Sequence, residues 1–248
     1  MSNSPALWQL IIDGALDGSR NMAVDAALLE QVEQSSAPLT IVRFYGWTRP
    51  TISLGRNQKI EAAVDGEYCK ANGIDIVRRP TGGRAVLHDD ELTYAVISND
   101  SSCFGDTIYG NYKRVSEALC IGYRALGVPA VLAPETRGAN RAGGADPPCF
   151  VSPSRYELMA GGRKIAGSAQ RRVRRSFLQH GSMPITCDRQ TLARATRMND
   201  ASILEREMAG IAEFVAERPS AATLTGAFIR AFQDYFSVGF DLVHSRML

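Results

Sequence analysis

The sequence predicts an α+β fold. Strand-like runs and helical periodicities are both present, and they do not alternate in the strict order that a doubly wound parallel sheet requires. The 248 residues are 45% apolar, enough for a sizeable core. In chain order, Asn21 is placed to cap a helix running to Gln34, with Met22, Ala26, Leu29 and Val32 on one face. Thr40–Tyr45, Thr51–Leu54, Ile74–Arg78 and Leu92–Ser98 read as short strands. Residues 62–72 read as a helix stopped by Gly73. Tyr112–Leu126 is a strong helix: Tyr112, Val115, Leu119 and Leu126 share a face, and Gly127 followed by Pro129 ends it. Tyr156–Met159, Arg163–Arg171 and Ser176–Ile185 are strand-like, the last two forming a hairpin. Two helices close the chain, one carrying Leu204, Met208, Ile211 and Val215, the next Leu224, Phe228, Phe232 and Tyr235.

Composition excludes several classes of function. Lys and Arg number 28 against 26 Asp and Glu, and a net charge of +2 argues against a protein built mainly to hold nucleic acid. No run approaches the ~18–20 apolar residues of a membrane helix. Met1–Gln9 has no basic n-region, so no secretory signal is read and a cytoplasmic location is expected. The five cysteines are odd in number and scattered, with no CxxC pair, and the three histidines are dispersed; neither a disulfide framework nor a metal site is expected. The most loop-like stretch, Pro134–Pro148, reads as a loop inside one domain spanning residues 1–248.

Three segments can carry chemistry. The first, Arg78-Arg79-Pro80-Thr81-Gly82-Gly83-Arg84-Ala85-Val86-Leu87-His88-Asp89, follows a strand. Its glycines let backbone approach a ligand and its arginines add positive charge, although a tight turn with solvated arginines fits the same residues. It is neither a GxxxxGK[ST] phosphate loop nor a GxGxxG dinucleotide fingerprint. The second segment centres on Cys149, between a Gly/Pro loop and a short strand. A nucleophilic cysteine needs exposure and a positive neighbourhood. A buried structural cysteine is the alternative, and it is the reading kept for Cys69, Cys103, Cys120 and Cys187. The third, Gly161-Gly162-Arg163-Lys164-Ile165-Ala166-Gly167-Ser168, places a hairpin turn so that Lys164 approaches Cys149; a surface lysine is the alternative. His88 and His180 read as hydrogen-bonded structural histidines rather than bases. Arg171, Arg172, Arg174 and Arg175 form a basic cluster at the hairpin tip, suited to an acidic protein partner or merely solvated.

Together these segments resemble the lipoate/octanoate transferase and ligase family, which shares its catalytic fold with biotin protein ligases. The resemblance runs through Asn21-Met22-Ala23-Val24-Asp25, Arg43-Phe44-Tyr45-Gly46-Trp47, Pro50-Thr51-Ile52-Ser53-Leu54-Gly55, the Arg78–Asp89 segment, Lys164–Gln170 and His180-Gly181. It implies a mixed-sheet α+β catalytic domain. Arg84, standing where ATP-using ligases usually carry a third glycine, and Cys149 make the chain similar to the octanoyltransferase branch.

That resemblance implies transfer of octanoyl from acyl carrier protein to a lysine of a lipoyl domain, such as the glycine cleavage H protein, through a Cys149 thioester. Lys164 would be the acid/base partner. Arg79, Thr81, Gly82, Gly83, Arg84 and His88 would line or orient the acyl site, and Gly167 and Ser168 would present backbone N–H groups to the acyl oxygen. No cofactor, metal, nucleic acid or membrane is implied, and a monomer is expected. An ATP-dependent lipoate ligase is the main rival, and a non-catalytic lipoyl-domain or acyl-carrier binding module a further one.

Overall fold

A computed structural model describes residues 6–133, 156–198 and 200–244. The first half runs β1 (Ala6–Leu16), α1 (Gly18–Gln34), β2 (Thr40–Trp47), β3 (Thr51–Leu54), α2 (Ile60–Ala63), α3 (Gly66–Ala71), β4 (Asp75–Arg78), β5 (Val86–His88), β6 (Glu91–Ser98), α4 (Ile108–Ala125) and β7 (Val131–Leu132). The second half runs β8 (Leu158–Ala160), β9 (Arg163–Lys164), β10 (Gly167–Val173), β11 (Ser176–Pro184), α5 (Arg189–Ala195), α6 (Ser202–Glu207), a 3-10 turn (Ile211–Glu213), α7 (Ala221–Phe236) and β12 (Val238–Val243).

The main sheet has six strands in the order β10-β11-β6-β2-β1-β12. β1 pairs parallel with β12 and β2, and the β2–β6–β11–β10 pairings are antiparallel, so the sheet is mixed as the resemblance implies. Two three-stranded sheets flank it, β4-β3-β5 and β7-β8-β9.

Strand alternation sorts the core into two layers. Val42, Phe44, Tyr94 and Val96 face α4 and α7, where Val115, Leu119, Phe228 and Phe232 pack against them. Ile41, Tyr45, Ala95 and Ile97 face α1, whose Val24, Leu28 and Val32 cover them. Arg43 has the parity of Ile41 and Tyr45, so its charge is carried under α1 with no exposed surface. Among the described residues no helix is long and apolar enough to cross a membrane.

Several boundaries differ from the sequence reading, each for a local reason. α1 begins before Asn21, because Asp17 is the cap and accepts from the Arg20 N–H at 2.8 Å. Asn21 instead donates to the Gly46 carbonyl at 2.9 Å. The helix read over 62–72 is two pieces, broken where Val64 is extended and Asp65 caps α3 through the Tyr68 N–H. The strand read over Arg163–Arg171 divides at Ile165-Ala166, where the chain leaves the small hairpin sheet and joins the edge of the main sheet. The helix read through Leu204–Val215 stops at Met208, which bridges to Lys164, and a Cβ on Gly210 would lie 2.5 Å from the Ile185 carbonyl oxygen. β1, β5, β7, α5 and β12 were not read from sequence.

The α4–α7 contact offers a test. A Cβ on Gly122 would lie 2.4 Å from Cδ1 of the fully buried Phe228. Gly122→Ala is expected to cost about 1–3 kcal/mol through overpacking. At roughly 2–4 °C per kcal/mol for a chain of this size, thermal denaturation reads this as a lowered Tm.

Candidate active site

A pocket lies where β5, β10 and β11 meet, bordered also by Met22 of α1, Tyr45 of β2, Ser53 of β3 and Arg79. Its polar side chains are tied into two buried chains. The first crosses the sheet on one rung: Arg43 pairs with Ala95, and Ala95 with His180. Asp25 reaches down from α1 over the small Ala95 side chain and joins the two outer residues. Its Oδ1 accepts from Arg43 Nη1 at 2.7 Å, and its Oδ2 from Tyr45 Oη at 2.9 Å and His180 Nδ1 at 2.7 Å. Asp13 holds the Arg43 Nε at 2.7 Å, and the guanidinium lies 3.9 Å above the Tyr45 ring.

Burial pushes the Asp25 carboxyl up, but the hydrogen bond from His180 and the charge and hydrogen bond of Arg43 outweigh it and hold the group below its usual range. Burial also drives His180 down, against the pull of Asp25. A neutral His180 whose Nδ1–H faces a carboxylate has its Nε2 as acceptor, and the Thr81 hydroxyl donates to it at 2.7 Å. The second chain runs from Glu91 to His88 Nδ1 at 2.8 Å, and from His88 Nε2 to Ser53 Oγ at 2.8 Å. His88 stacks on Trp47 with centroids 4.1 Å apart. Burial raises the Glu91 carboxyl, and His88, Ser182 and Thr93 lower it further than that.

The Arg78–Asp89 segment is held from inside by Arg79, only 5% exposed. Its guanidinium donates to the carbonyls of Ser53 at 2.8 Å, Gly82 at 2.8 Å and Arg84 at 2.7 Å. Gly83, at φ +91°, presses its carbonyl against Gly55, where a Cβ would stand 2.0 Å from that oxygen. The contact therefore requires glycine at 55, and the positive φ favours it at 83, 28 positions on.

The hairpin expected at Gly161-Gly162 is present, with both glycines at positive φ and Met159 opposite Lys164. Lys164 is buried, not a surface lysine, and its Nζ donates to Glu157 Oε1 at 2.6 Å. Cys149 lies outside the described residues. Burial pushes up the thiols of all four described cysteines, Cys187 to about 12, so each is a poor thiolate.

Of the sequence-predicted binding residues, Arg79, His88, Gly167 and Ser168 border the pocket. Thr81, Gly82 and Arg84 enter through their bonds to His180 and Arg79. Arg78 donates to the carbonyls of Gly55, Arg56 and Gln58, so its side chain closes a loop. Gly167 and Ser168 lie on β10, an edge strand, where successive N–H groups alternate between the partner strand and the open side. One of the two is therefore committed to β11. Sequence reading assigned no part to Asp25, Arg43, Ser53, Glu91 or Glu157. The available signals were a carboxylate on the apolar face of a predicted helix and an arginine inside a predicted strand.

The model of the lipoyl protein ligase A/B catalytic domain matches residues 17–233. The chain belongs to that family. An octanoyltransferase LipM of Moorella thermoacetica is 39% identical over 241 residues, spanning 94% of this chain and 88% of that protein. An octanoyltransferase LipM of Geobacillus kaustophilus is 42% identical over 204 residues, spanning 81% and 73%. A solved lipoate-protein ligase A bound with ATP superposes with a TM-score of 0.76 at 27% identity, covering 96% of this chain and 89% of that one. The α+β mixed-sheet architecture is thus that of the lipoyl protein ligase A/B catalytic domain.

The Asp25–His180 contact makes acid stability a test of this site. His180 sits below its ordinary value of 6.5 when folded, so the unfolded chain binds its proton more readily. The contribution is complete above pH 6.5 and is lost as pH falls below it; the depressed Asp25 adds a second loss below its ordinary 3.8. Wild-type Tm is expected to fall between pH 7 and 5, and His180→Gln to have a lower Tm at pH 7 that changes less across the same interval.

Proposed function

We infer that the chain is an octanoyltransferase that takes octanoyl from acyl carrier protein and delivers it to a lysine of a lipoyl domain, the glycine cleavage H protein being one such acceptor. The observation that carries this reading is Lys164, sealed in the interior three residues before the strand that borders the pocket. Likeness to octanoyltransferases over 94% of the chain supports it.

In the first step the Cys149 thiolate attacks the carbonyl of the carrier's thioester. A carbon–sulfur bond forms to Cys149, the carbon–sulfur bond to the carrier breaks, and the carrier's thiolate leaves with a proton from the Lys164 ammonium. In the second step the acceptor amine attacks the octanoyl-Cys149 thioester, a carbon–nitrogen bond forms, and the Cys149 sulfur departs. Lys164, left neutral by the first step, takes the proton that the amine nitrogen loses, so Cys149 departs as a thiolate and both groups return to their starting state. Thioester to thioester is nearly balanced and thioester to amide runs downhill, so neither step needs ATP.

The pocket receives the acyl chain. The N–H of Gly167 or Ser168 that points away from β11 donates to the acyl oxygen as charge develops there. Arg79 holds the loop that shapes the entrance. The hairpin tip between β10 and β11 carries Arg171, Arg172, Arg174 and Arg175, whose charge attracts acidic protein partners.

Intact-protein mass spectrometry after mixing the chain with octanoyl-acyl carrier protein, without ATP, tests the reading. A single octanoyl adduct is expected; it is released by hydroxylamine, is absent in Cys149→Ser, and discharges onto a lipoyl-domain lysine. Modification of that lysine only when ATP and free lipoate or octanoate are present would establish the ligase reading instead.

A further inference from the structure

The buried partner of Lys164 is a residue to which no sequence pattern assigns a part. Glu157 is 4% exposed and Lys164 2% exposed, and Oε1 and Nζ stand 2.6 Å apart. The two meet diagonally across the β8–β9 hairpin. Met159 is opposite Lys164, and Glu157 lies two residues before Met159 along the chain.

The backbone around both residues is pinned from outside the hairpin. The Ala133 N–H donates to the Glu157 carbonyl at 2.8 Å, and the Ala209 N–H to the Lys164 carbonyl at 2.9 Å. The Tyr123 hydroxyl donates to the Ile165 carbonyl at 2.9 Å. The distance between the two side-chain origins is therefore set by a rigid frame.

Taking two charges out of water costs several kcal/mol each, and an apolar pair of similar size would fill the same space at least as well. Stability alone does not explain why an ion pair occupies this interior position. A lysine in flexible register has many rotamers, whereas one whose ammonium is hydrogen-bonded to a fixed carboxylate has its remaining N–H directions set.

We propose that Glu157 is the positioning residue for Lys164: it fixes where Nζ stands and holds the side chain as an ammonium between turnovers. This rests on the octanoyl-transfer reading of the site. Glu157 acts through Lys164 and touches no reacting atom.

The test uses the full chain as wild type, Glu157→Gln and Glu157→Asp, with two readouts. The first is independent of the reaction. Trace labelling with acetic anhydride, read by peptide mass spectrometry against the exposed Lys70, reports how much of Lys164 is free amine. The Gln side chain keeps the shape but not the charge, so Lys164 is expected to label at least about 10-fold faster near neutral pH, with Asp restoring most of the protection.

The second readout is octanoyl transfer. Glu157→Gln is expected to lower kcat by about 10-fold or more while leaving KM for the carrier within about 2-fold. The alkaline limb of its kcat profile is expected to move to lower pH. Unchanged labelling, or an unchanged kcat and pH profile, overturns the proposal. If Glu157→Gln does not fold, Glu157→Asp decides: an intermediate kcat at wild-type Tm supports the positioning role, and wild-type kcat overturns it. A wild type that acquires no octanoyl group overturns the transfer reading, and the labelling still decides separately whether Glu157 governs Lys164.

Discussion

The guanidinium of Arg43 lies inside the protein with no exposed surface, and a charge there must be matched or the fold does not hold. Asp13 and Asp25 match it, and Asp25 passes the constraint on to His180, 155 positions away in sequence. His180 in turn holds the Thr81 hydroxyl, and so the loop beside the pocket. A single chain of contacts runs from the helix α1, over the main sheet, to the backbone that borders the site. The geometry works because Ala95 occupies the rung between Arg43 and His180 and leaves room for Asp25 above it.

The polar residues at the pocket use their polar atoms on each other and on buried partners behind them. Ser53, His88 and Glu91 form one chain, and Thr81, His180 and Asp25 the other. Arg79 does the same for the carbonyls of the intervening loop. A site bordered by such groups presents fixed walls, and a fixed wall orients a flexible ligand at less entropic cost than a mobile one. The ion pair of Glu157 and Lys164 extends the same principle to the hairpin sheet, where each buried charge is held by the other.

Much of the architecture was legible in the residues. The long helices, the strands at 40–45, 51–54 and 92–98, and the Gly161-Gly162 turn follow from periodicity and from glycine's tolerance of positive φ. That turn aimed Lys164 toward the strand after Cys149 but left a surface lysine open, and its burial against Glu157 decided between the two. What periodicity did not supply were β1 and β12, whose pairing is parallel and fixed by partners at opposite ends of the chain. Nor did it separate β9 from β10, because the break depends on which sheet each half joins. Histidines 88 and 180 were read as structural, and their hydrogen bonds have that form; the identity of their partners was not readable.

The sequence by itself determined the fold class, the family to which the chain belongs and the residue types present for acyl transfer. Tertiary structure alone decided which of them meet. Asp25 on a helix finds His180 on a strand, Gly55 finds Gly83, and the loop residue Thr81 finds His180 only once the helix, the loops and the main sheet are packed together. Contacts of that kind are set by the packing of the whole chain, and no local spacing encodes them. The carboxylate beside Lys164 depends likewise on the register of one short hairpin and on the frame that holds it.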